Sequence, residues 1–503
     1  MDQFSQSVLT LVSILVVIST IFYFKFQSKS SSKLPPGPWG VPILGYLPFI
    51  GSDMNKLSQL ASKYGQIYKL QLGNKLCVVV NSPALVKEVV RDHDIVFANR
   101  SVPVAAFVAT YGAKDIVWSA NNPEWRALRK VFVREMMSNR SLEQTYSLRK
   151  NEVRKSIRQI YENGKTAVEI SMLAFQTEIN VITKLLWGGL LRGADEEVIG
   201  NKFREILPKV IDVFGKPNIS DYYPFLARFD IQGIKRETER YMVHLDKIVI
   251  EVVESYKKKF SRGVVEEGKR DFLQILFELK ADDEDLITDT QLKALLLDIV
   301  AAATDTSTTS IEWAMAELIN SPTAMAKAQK ELSEVVGLDN IVEEHHLPKL
   351  KYLDAVFKET LRLHPVVPFL MPRSTSESSI VGGYTIPKGT MVFINLPYIQ
   401  KDPRFWNSPQ EFKPERFLGT EFDFTGNSFH YLPFGSGRRM CAGLPLAERM
   451  LMYFLASLLH SFDWKSPNDQ KLDMSEAFGI MLRKSVPLAA IPIPRLSGSN
   501  LYT

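Results

Sequence analysis

Cysteine is scarce in this chain: 503 residues hold two, Cys77 and Cys441. Two cysteines cannot build a disulfide framework. Internal repeats are missing, and so is any long Gly/Ser linker after residue 50. A chain of this length would ordinarily suggest two or three domains, but with neither repeat nor linker one large domain is expected. Histidine is sparse as well, at seven residues, and the adjacent pair His345-His346 precedes Pro348. Neighbours on a helix do not face one another, so the pair reads as a surface turn and not as a metal site. The net charge is only +5, and no nucleic-acid partner is expected. Near the start charge disappears altogether, with no charged residue from Gln3 to Phe24.

That uncharged run carries the first positive signal. Val8 to Phe24 is nearly all apolar, long enough to cross a bilayer core of roughly 30 Å. Lys25, Lys29 and Lys33 follow, and a positive C-terminal flank keeps that side in the cytosol. A cleaved signal peptide would need a basic start and small residues at its cut. Here Asp2 precedes the run and Ile21-Phe22-Tyr23-Phe24 closes it, which favours an uncleaved transmembrane anchor. Leu34-Pro35-Pro36-Gly37-Pro38-Trp39-Gly40 comes next, a stiff joint because proline fixes φ and removes donors. The expected division is an anchor with its basic flank over 1–33, a proline-rich hinge over 34–50 and the main domain over 51–503. With that domain in the cytosol, the sequons at Asn99, Asn139 and Asn218 read as chance matches.

Apolar spacing predicts the elements. Ile67 to Leu72 and Leu76 to Val80 read as strands joined at Gly73-Asn74, and Cys77 inside the second reads as inert core. From Pro83 to about Arg91, and over most of 122–365, the spacing is helical. Short strands and turns are expected from Ser374 to Asn395. The stretch 397–440 is irregular and rich in proline, aromatics and glycine; a loop this long inside one domain is usually functional. A helix follows from Leu444 to Ser461, then short strands to about Pro494. The fold class is mainly α with a smaller β part.

Cys441 closes this irregular stretch in Phe434-Gly435-Ser436-Gly437-Arg438-Arg439-Met440-Cys441-Ala442-Gly443, a pattern F-x-x-G-x-R-x-C-x-G. Gly437 and Gly443 let the backbone turn tightly and approach something flat and large. Arg439 places a positive charge two residues from the sulfur, which favours thiolate. Such a frame suits a thiolate delivered to a metal on a rigid loop, and thiolate is the axial ligand of one haem class. On these residues the chain resembles the cytochrome P-450 (haem-thiolate monooxygenase) superfamily. The resemblance implies the single-domain fold of that family, haem b (iron protoporphyrin) with Cys441 as its metal ligand, and Phe434 beside it.

Further residues match the same family. Glu359 and Arg362 share a helix face, and Pro414-Glu415-Arg416-Phe417 lies downstream. Alone, the pair would be an ordinary surface ion pair worth under about 1 kcal/mol. The resemblance implies a structural triad of Glu359, Arg362 and Arg416 that locks the Cys441 loop to the helix. Leu292 to Leu318 reads as a long helix interrupted by the polar run Thr304-Asp305-Thr306-Ser307-Thr308-Thr309-Ser310, a composition that can mark a local distortion. The run resembles the family's oxygen-activation motif, with Asp305 and Thr306 at its acid and alcohol positions and Ala303 where glycine is usual. Their implied role is catalytic, as a proton relay to dioxygen. Trp125 and Arg129 stand one helical turn apart; with Arg439 and with Arg373 after Pro372, they match the family's haem-propionate contacts. On the other face of that helix Arg126, Lys130 and Arg134 form a basic stripe, which is ordinarily a solvated face. Beside a haem it suits an acidic redox partner, and microsomal relatives use an NADPH-cytochrome P-450 reductase.

The family's substrate-contacting stretches here hold Val104, Ala105, Ala106, Phe107, Val108, Val300, Val366, Val367, Phe369, Leu370 and Phe478. With almost no charge among them, the substrate is expected to be small and apolar. Asp115-Ile116-Val117-Trp118 and the Cys441-to-Glu448 ending resemble a plant specialised-metabolism group that includes sesquiterpene hydroxylases, anchored in the endoplasmic reticulum membrane with the catalytic domain in the cytosol. A terpenoid substrate is favoured over a flavonoid or other phenolic. The competing enzyme class is a haem-thiolate isomerase or dehydratase that needs no dioxygen; the Asp305-Thr306 pair, the anchor and the basic stripe favour the monooxygenase.

Overall fold

Ile67–Leu72 (β1) and Lys75–Val80 (β2) pair antiparallel around Gly73-Asn74, as their spacing predicts. The computed structural model describes residues 33–50, 55–188, 194–261, 271–467 and 470–503. The expected anchor, apart from Lys33, lies outside the described residues. Among them, no helix is long and apolar enough to cross a membrane.

The chain divides into two compact units. The first, drawn from 1–101, 218–232 and 369–399, holds a five-stranded sheet. Asn99–Arg100 (β3), Arg373–Ser374 (β4) and Met391–Ile394 (β5) join the hairpin in the order β1-β2-β5-β4-β3. Strand β2 pairs β5 in parallel, with Cys77 opposite Met391. Cys77, Val78, Val79 and Val80 are fully buried or nearly so, as a continuous apolar strand requires. The proline-rich segment is laid onto this sheet: Pro36 O accepts the Lys69 N–H at 2.8 Å. A Cβ on Gly37 would stand 2.1 Å from Lys69 O, so only glycine allows that approach. From Pro83 the backbone is α-helical to Lys87 and then widens into a π turn over Glu88–Asp92.

The second unit, 102–217, 233–368 and 400–503, is helical. Its long helices are Pro123–Glu135 (α1), Tyr146–Glu162 (α2), Ile170–Trp187 (α3), Ala194–Gly215 (α4), Ile234–Ser261 (α5), Phe272–Asp282 (α6), Asp289–Asn320 (α7), Pro322–Val335 (α8), Lys351–Leu363 (α9) and Leu444–Ser461 (α10). Helix α7 starts at a capping box, in which Gln291 N–H donates to Thr288 Oγ1 at 3.2 Å and Gln291 Oε1 accepts the Thr288 N–H at 2.9 Å. It runs through the core, packed along α3 and against α10, and is buried for most of its length. The distortion expected at the polar run does not occur, and the helix is continuous from Asp289 to Asn320. Its hydroxyls bond one turn back instead: Thr304 to Val300 O at 2.7 Å, Thr306 to Ala302 O at 2.6 Å, Thr309 to Asp305 O and Ser310 to Thr306 O at 2.9 Å each. These bonds satisfy four of the hydroxyls without opening the helix, while Thr308 Oγ1 is buried with no partner among the described residues. A small hairpin, Glu476–Phe478 (β6) with Leu482–Lys484 (β7), follows near the C-terminus.

Candidate active site

Cys441 sits between the irregular stretch and α10. Its N–H donates to Phe434 O at 3.0 Å, closing the loop on the residue that opens the motif. Within the loop Gly435 and Gly437 take φ of 72° and 69°, a region that favours glycine. The sequence reading named Gly437 but missed Gly435. Its other glycine, Gly443, has φ of −87° and is not needed for the turn. What distinguishes Gly443 is open space, since an added Cβ would meet nothing within 4 Å. Cys441 keeps an accessible surface although protein is packed deeply around it. That desolvation pushes its thiol pKa up, while the Gly443 and Leu444 N–H groups and the Arg129 guanidinium pull the other way. Arg129 is thus a cation acting on the sulfur, one that the two-residue spacing of Arg439 did not point to.

Arg439 turns to a different task. Its guanidinium lies 4.0 Å from the centre of the Trp125 ring and donates to Ile116 O at 3.3 Å and to Ser119 O. Trp125 Nε1 donates to the same Ile116 oxygen at 2.9 Å. Arg129, one turn along α1 and 5.7 Å from the Trp125 ring, donates to Met440 O at 2.6 Å. So Trp125, Arg129, Arg439 and the Cys441 loop converge. The segment they share is held by a residue the sequence reading passed over: Asp298 Oδ2 accepts the N–H groups of Ile116 at 3.0 Å and Val117 at 3.3 Å. Its carboxyl pKa is pushed up by burial and by the neighbouring Asp115 charge. An acid inside the apolar run Leu295 to Val300 was the signal that could have found it.

On α7, Asp298, Ala302 and Thr306 recur every fourth residue and so share one face. All three keep accessible surface, whereas Val300 and Thr304 are wholly buried. The Asp305 carboxylate turns elsewhere and pairs with Arg483 of β7, which also reaches Asp212 of α4 at 2.7 Å. Burial raises the Asp305 pKa in spite of Arg483, because desolvation there outweighs the pairing. Arg483, between two carboxylates, is held above its ordinary value.

Behind the loop the expected triad is assembled. Arg362 Nε and Nη2 grip Glu359 at 2.6 and 2.8 Å, and Arg416 Nε joins at 2.9 Å. The spare Arg362 donors reach Gln400 O at 2.9 Å and Pro409 O at 2.8 Å. Gln400, fully buried and missed by the sequence reading, ties the loop to α9. Its amide donates to Leu361 O at 3.0 Å and Arg362 O at 3.1 Å, and its oxygen accepts the Leu432 N–H at 3.0 Å. Phe434 packs edge-on against Phe424 at 5.2 Å.

Arg373 belongs to the other unit. Buried in β4, it donates to Phe97 O at 3.4 Å and lies 3.9 Å from Asp94, and burial lowers its pKa to about 10. Among the expected substrate contacts, Phe107 is 55 % exposed whereas Val300 is fully buried core. Arg126, Lys130 and Arg134 all face solvent along α1. His345 and His346 fall in a short 3₁₀ turn, where His346 Nδ1 accepts the Glu343 N–H at 3.0 Å.

A mainly helical unit with an accessible cysteine on a braced loop defines a class of protein in which a thiolate meets a prosthetic group. Comparison with known proteins names the family. The sequence pattern of the cytochrome P450 family matches residues 35–489. A geraniol 8-hydroxylase of Swertia mussotii is 37% identical over 495 residues, covering 96% of this chain and 98% of that one. A flavonoid 3′-monooxygenase of Crocosmia x crocosmiiflora is 37% identical over 503 residues, covering 97% and 98%. A zebra fish cytochrome P450 solved with progesterone superposes with a TM-score of 0.74 at 26% identity, covering 88% of this chain and 99% of that one. The chain belongs to the cytochrome P450 family. It is an oxidoreductase, a monooxygenase whose cofactor is haem. The residues present fit that group: one accessible thiol, open space at Gly443, and a strip of accessible surface along an otherwise buried α7.

Proposed function

We propose that this monooxygenase oxidises a small apolar plant specialised metabolite, a terpenoid before a phenolic, with electrons from NADPH through a reductase. The observation that carries the reading is the Cys441 loop, an accessible sulfur on a backbone pinned through Phe434 O, through Met440 O to Arg129, and through Leu432 to Gln400. Cys441 would hold the iron. Trp125, Arg129 and Arg439 would hold the propionates, as would Arg373, with Phe434 packed beside the group. Two buried carboxylates need counter-charge, and the Arg129 and Arg439 guanidinium groups that converge at the Cys441 loop would supply it.

When bound, haem supplies the activation of dioxygen. The chain's own part is to place the substrate and to deliver protons. Thr306, on the accessible face of α7, presents a hydroxyl that can hold a water, and Asp305 can resupply protons. The terpenoid preference is supported by the geraniol 8-hydroxylase relative. The equally similar flavonoid 3′-monooxygenase keeps a phenolic as the second reading. The exposed Arg126, Lys130 and Arg134 stripe supports docking of the reductase. Residues 1–33 would anchor the chain in the endoplasmic reticulum membrane, 34–50 would join it to the rest, and 51–503 would act as one monooxygenase domain in the cytosol.

The reading is tested in microsomes containing the reductase, with terpene and flavonoid panels under air and under argon. NADPH- and dioxygen-dependent products from terpenes are expected. The reduced carbon monoxide complex should show the red-shifted Soret band of thiolate ligation and Cys441→Ser should lose it. A wild-type spectrum in Cys441→Ser, or full-rate product without dioxygen, would overturn the reading.

A further inference from the structure

Arg483 lies on β7 opposite Ala477 of β6, and this hairpin is fixed to α7. Trp313 Nε1 donates to Leu482 O at 2.9 Å, and Glu312 Oε1 accepts the Leu488 N–H at 2.8 Å. From that fixed strand the guanidinium reaches two carboxylates. Nη2 donates to Asp305 Oδ2, and Nη1 to Asp212 Oδ1 at 2.7 Å. Nε is buried and has no hydrogen-bond partner among the described residues, so the two carboxylates are the hydrogen-bonded anchors of the group, with the Glu312 charge also acting on it. Their settings differ: the Asp305 side chain is 9% exposed and that of Asp212 58%. The inner contact is shielded from water and salt, while the outer one is screened.

The neighbouring hydroxyl is engaged separately. Thr306 Oγ1 donates to Ala302 O one turn back, and adjacent helical residues point in different directions. The carboxylate and the hydroxyl at the acid and alcohol positions therefore do not bond each other. One is committed to the hairpin and the other to its own helix.

We propose that Arg483 is a positioning residue that holds the Asp305 carboxylate on the hairpin side of α7 and, by sharing its guanidinium with Asp212, ties that hold to the position of α4. Asp305 must loosen from Arg483 to exchange a proton with water. Asp212 is the alternative acceptor that draws the guanidinium away. The end of α4 also rests on the hairpin turn, where a Cβ on Gly215 would stand 3.2 Å from Ile480 N. A shift of α4 is thus transmitted to the outer carboxylate. This inference rests on the reading of Asp305 as a proton supplier.

The test uses the full-length haem-loaded protein with its reductase, measuring product formed per NADPH consumed. Arg483→Gln should lower that ratio several-fold with the haem-thiolate spectrum kept, and Arg483→Lys, which retains the charge, should restore at least half of it. Asp212→Asn removes the competing acceptor and should lower the ratio about two-fold, the scale of one exposed ion pair. A second readout needs no turnover: the fall in Tm for Asp305→Asn should shrink when Arg483→Gln is already present. If Asp305→Asn leaves the ratio unchanged, the proton-supply reading itself fails. If Asp305→Asn lowers the ratio but Arg483→Gln does not, or if the two Tm shifts simply add, only the positioning role is overturned. Should Arg483→Gln give no folded haem protein, Asp212→Asn decides: an unchanged ratio in that variant overturns the tie to α4.

Discussion

Two clusters of arginine and carboxylate in the helical unit share their chemistry and differ in design. Glu359, Arg362 and Arg416 set one anion between two cations, with side chains no more than 9% exposed. Asp305, Arg483 and Asp212 set one cation between two anions, and exposure climbs from the buried to the exposed acid. In the first cluster the spare donors all find backbone carbonyls: Arg362 reaches Gln400 and Pro409, and Arg416 reaches Asn407 and Ser408. In the second a buried donor, Arg483 Nε, has no hydrogen-bond partner among the described residues. A closed network rigidifies because breaking any member strands a charge. A graded one leaves its outer contact easy to exchange. The first suits a brace behind the Cys441 loop, and the second suits a contact that must open and close.

The comparison breaks most readily at Glu359. Glu359→Gln leaves two buried guanidinium groups facing a neutral amide, and a loss of about 3–5 kcal/mol is expected. Thermal unfolding and haem retention measure it, and a loss below about 1 kcal/mol would remove the brace from the account.

Glu178 on α3 sharpens the comparison, because burial raises its carboxyl pKa to about 8 and its Oε1 has no partner among the described residues. The folded protein keeps a proton there that the unfolded chain releases above its ordinary value of 4.5. Stability is therefore lost as pH rises from about 4.5 to about 8 and is level beyond that window. Glu178→Gln should flatten this slope and stabilise the protein at pH above 8 by on the order of 3 kcal/mol. Denaturant midpoints at acid and alkaline pH read it directly, and parallel curves for the two proteins would refute it.

A smaller effect is expected from Arg416→Lys. The ammonium keeps the charge but loses the fork that spans Glu359 and the loop carbonyls, for about 1–2 kcal/mol. The smallest belongs to the open cluster: Asp212→Asn should change stability by less than about 1 kcal/mol, as exposed pairs do. A larger loss would make the two clusters alike and end the contrast.

Much of this architecture was legible in residue order. The hairpin 67–80, the helix 444–461 and the Glu359–Arg362 pair follow from spacing, because each depends on neighbours within a few residues. Gln400 carried no such signal. Its amide matters only because the end of α9 and Leu432 arrive beside it. The pairing of Arg483 with Asp305, 178 residues apart, was equally hidden. The polar run on α7 was visible, but its hydroxyls chose their own helix over a distortion. Local hydrogen bonds to the carbonyls one turn back were available to four of them.

By itself the sequence determined the family, the iron-binding candidate Cys441 and the elements that present it. Motif, periodicity and turn residues are local properties that backbone sterics and burial translate directly. The tertiary structure alone decided that Arg129 acts on the sulfur, that Asp298 holds the Ile116 and Val117 N–H groups, and that Asp305 pairs with Arg483. Electrostatic neighbours are set by distance and burial in space, and both arise only when residues remote in sequence are packed together.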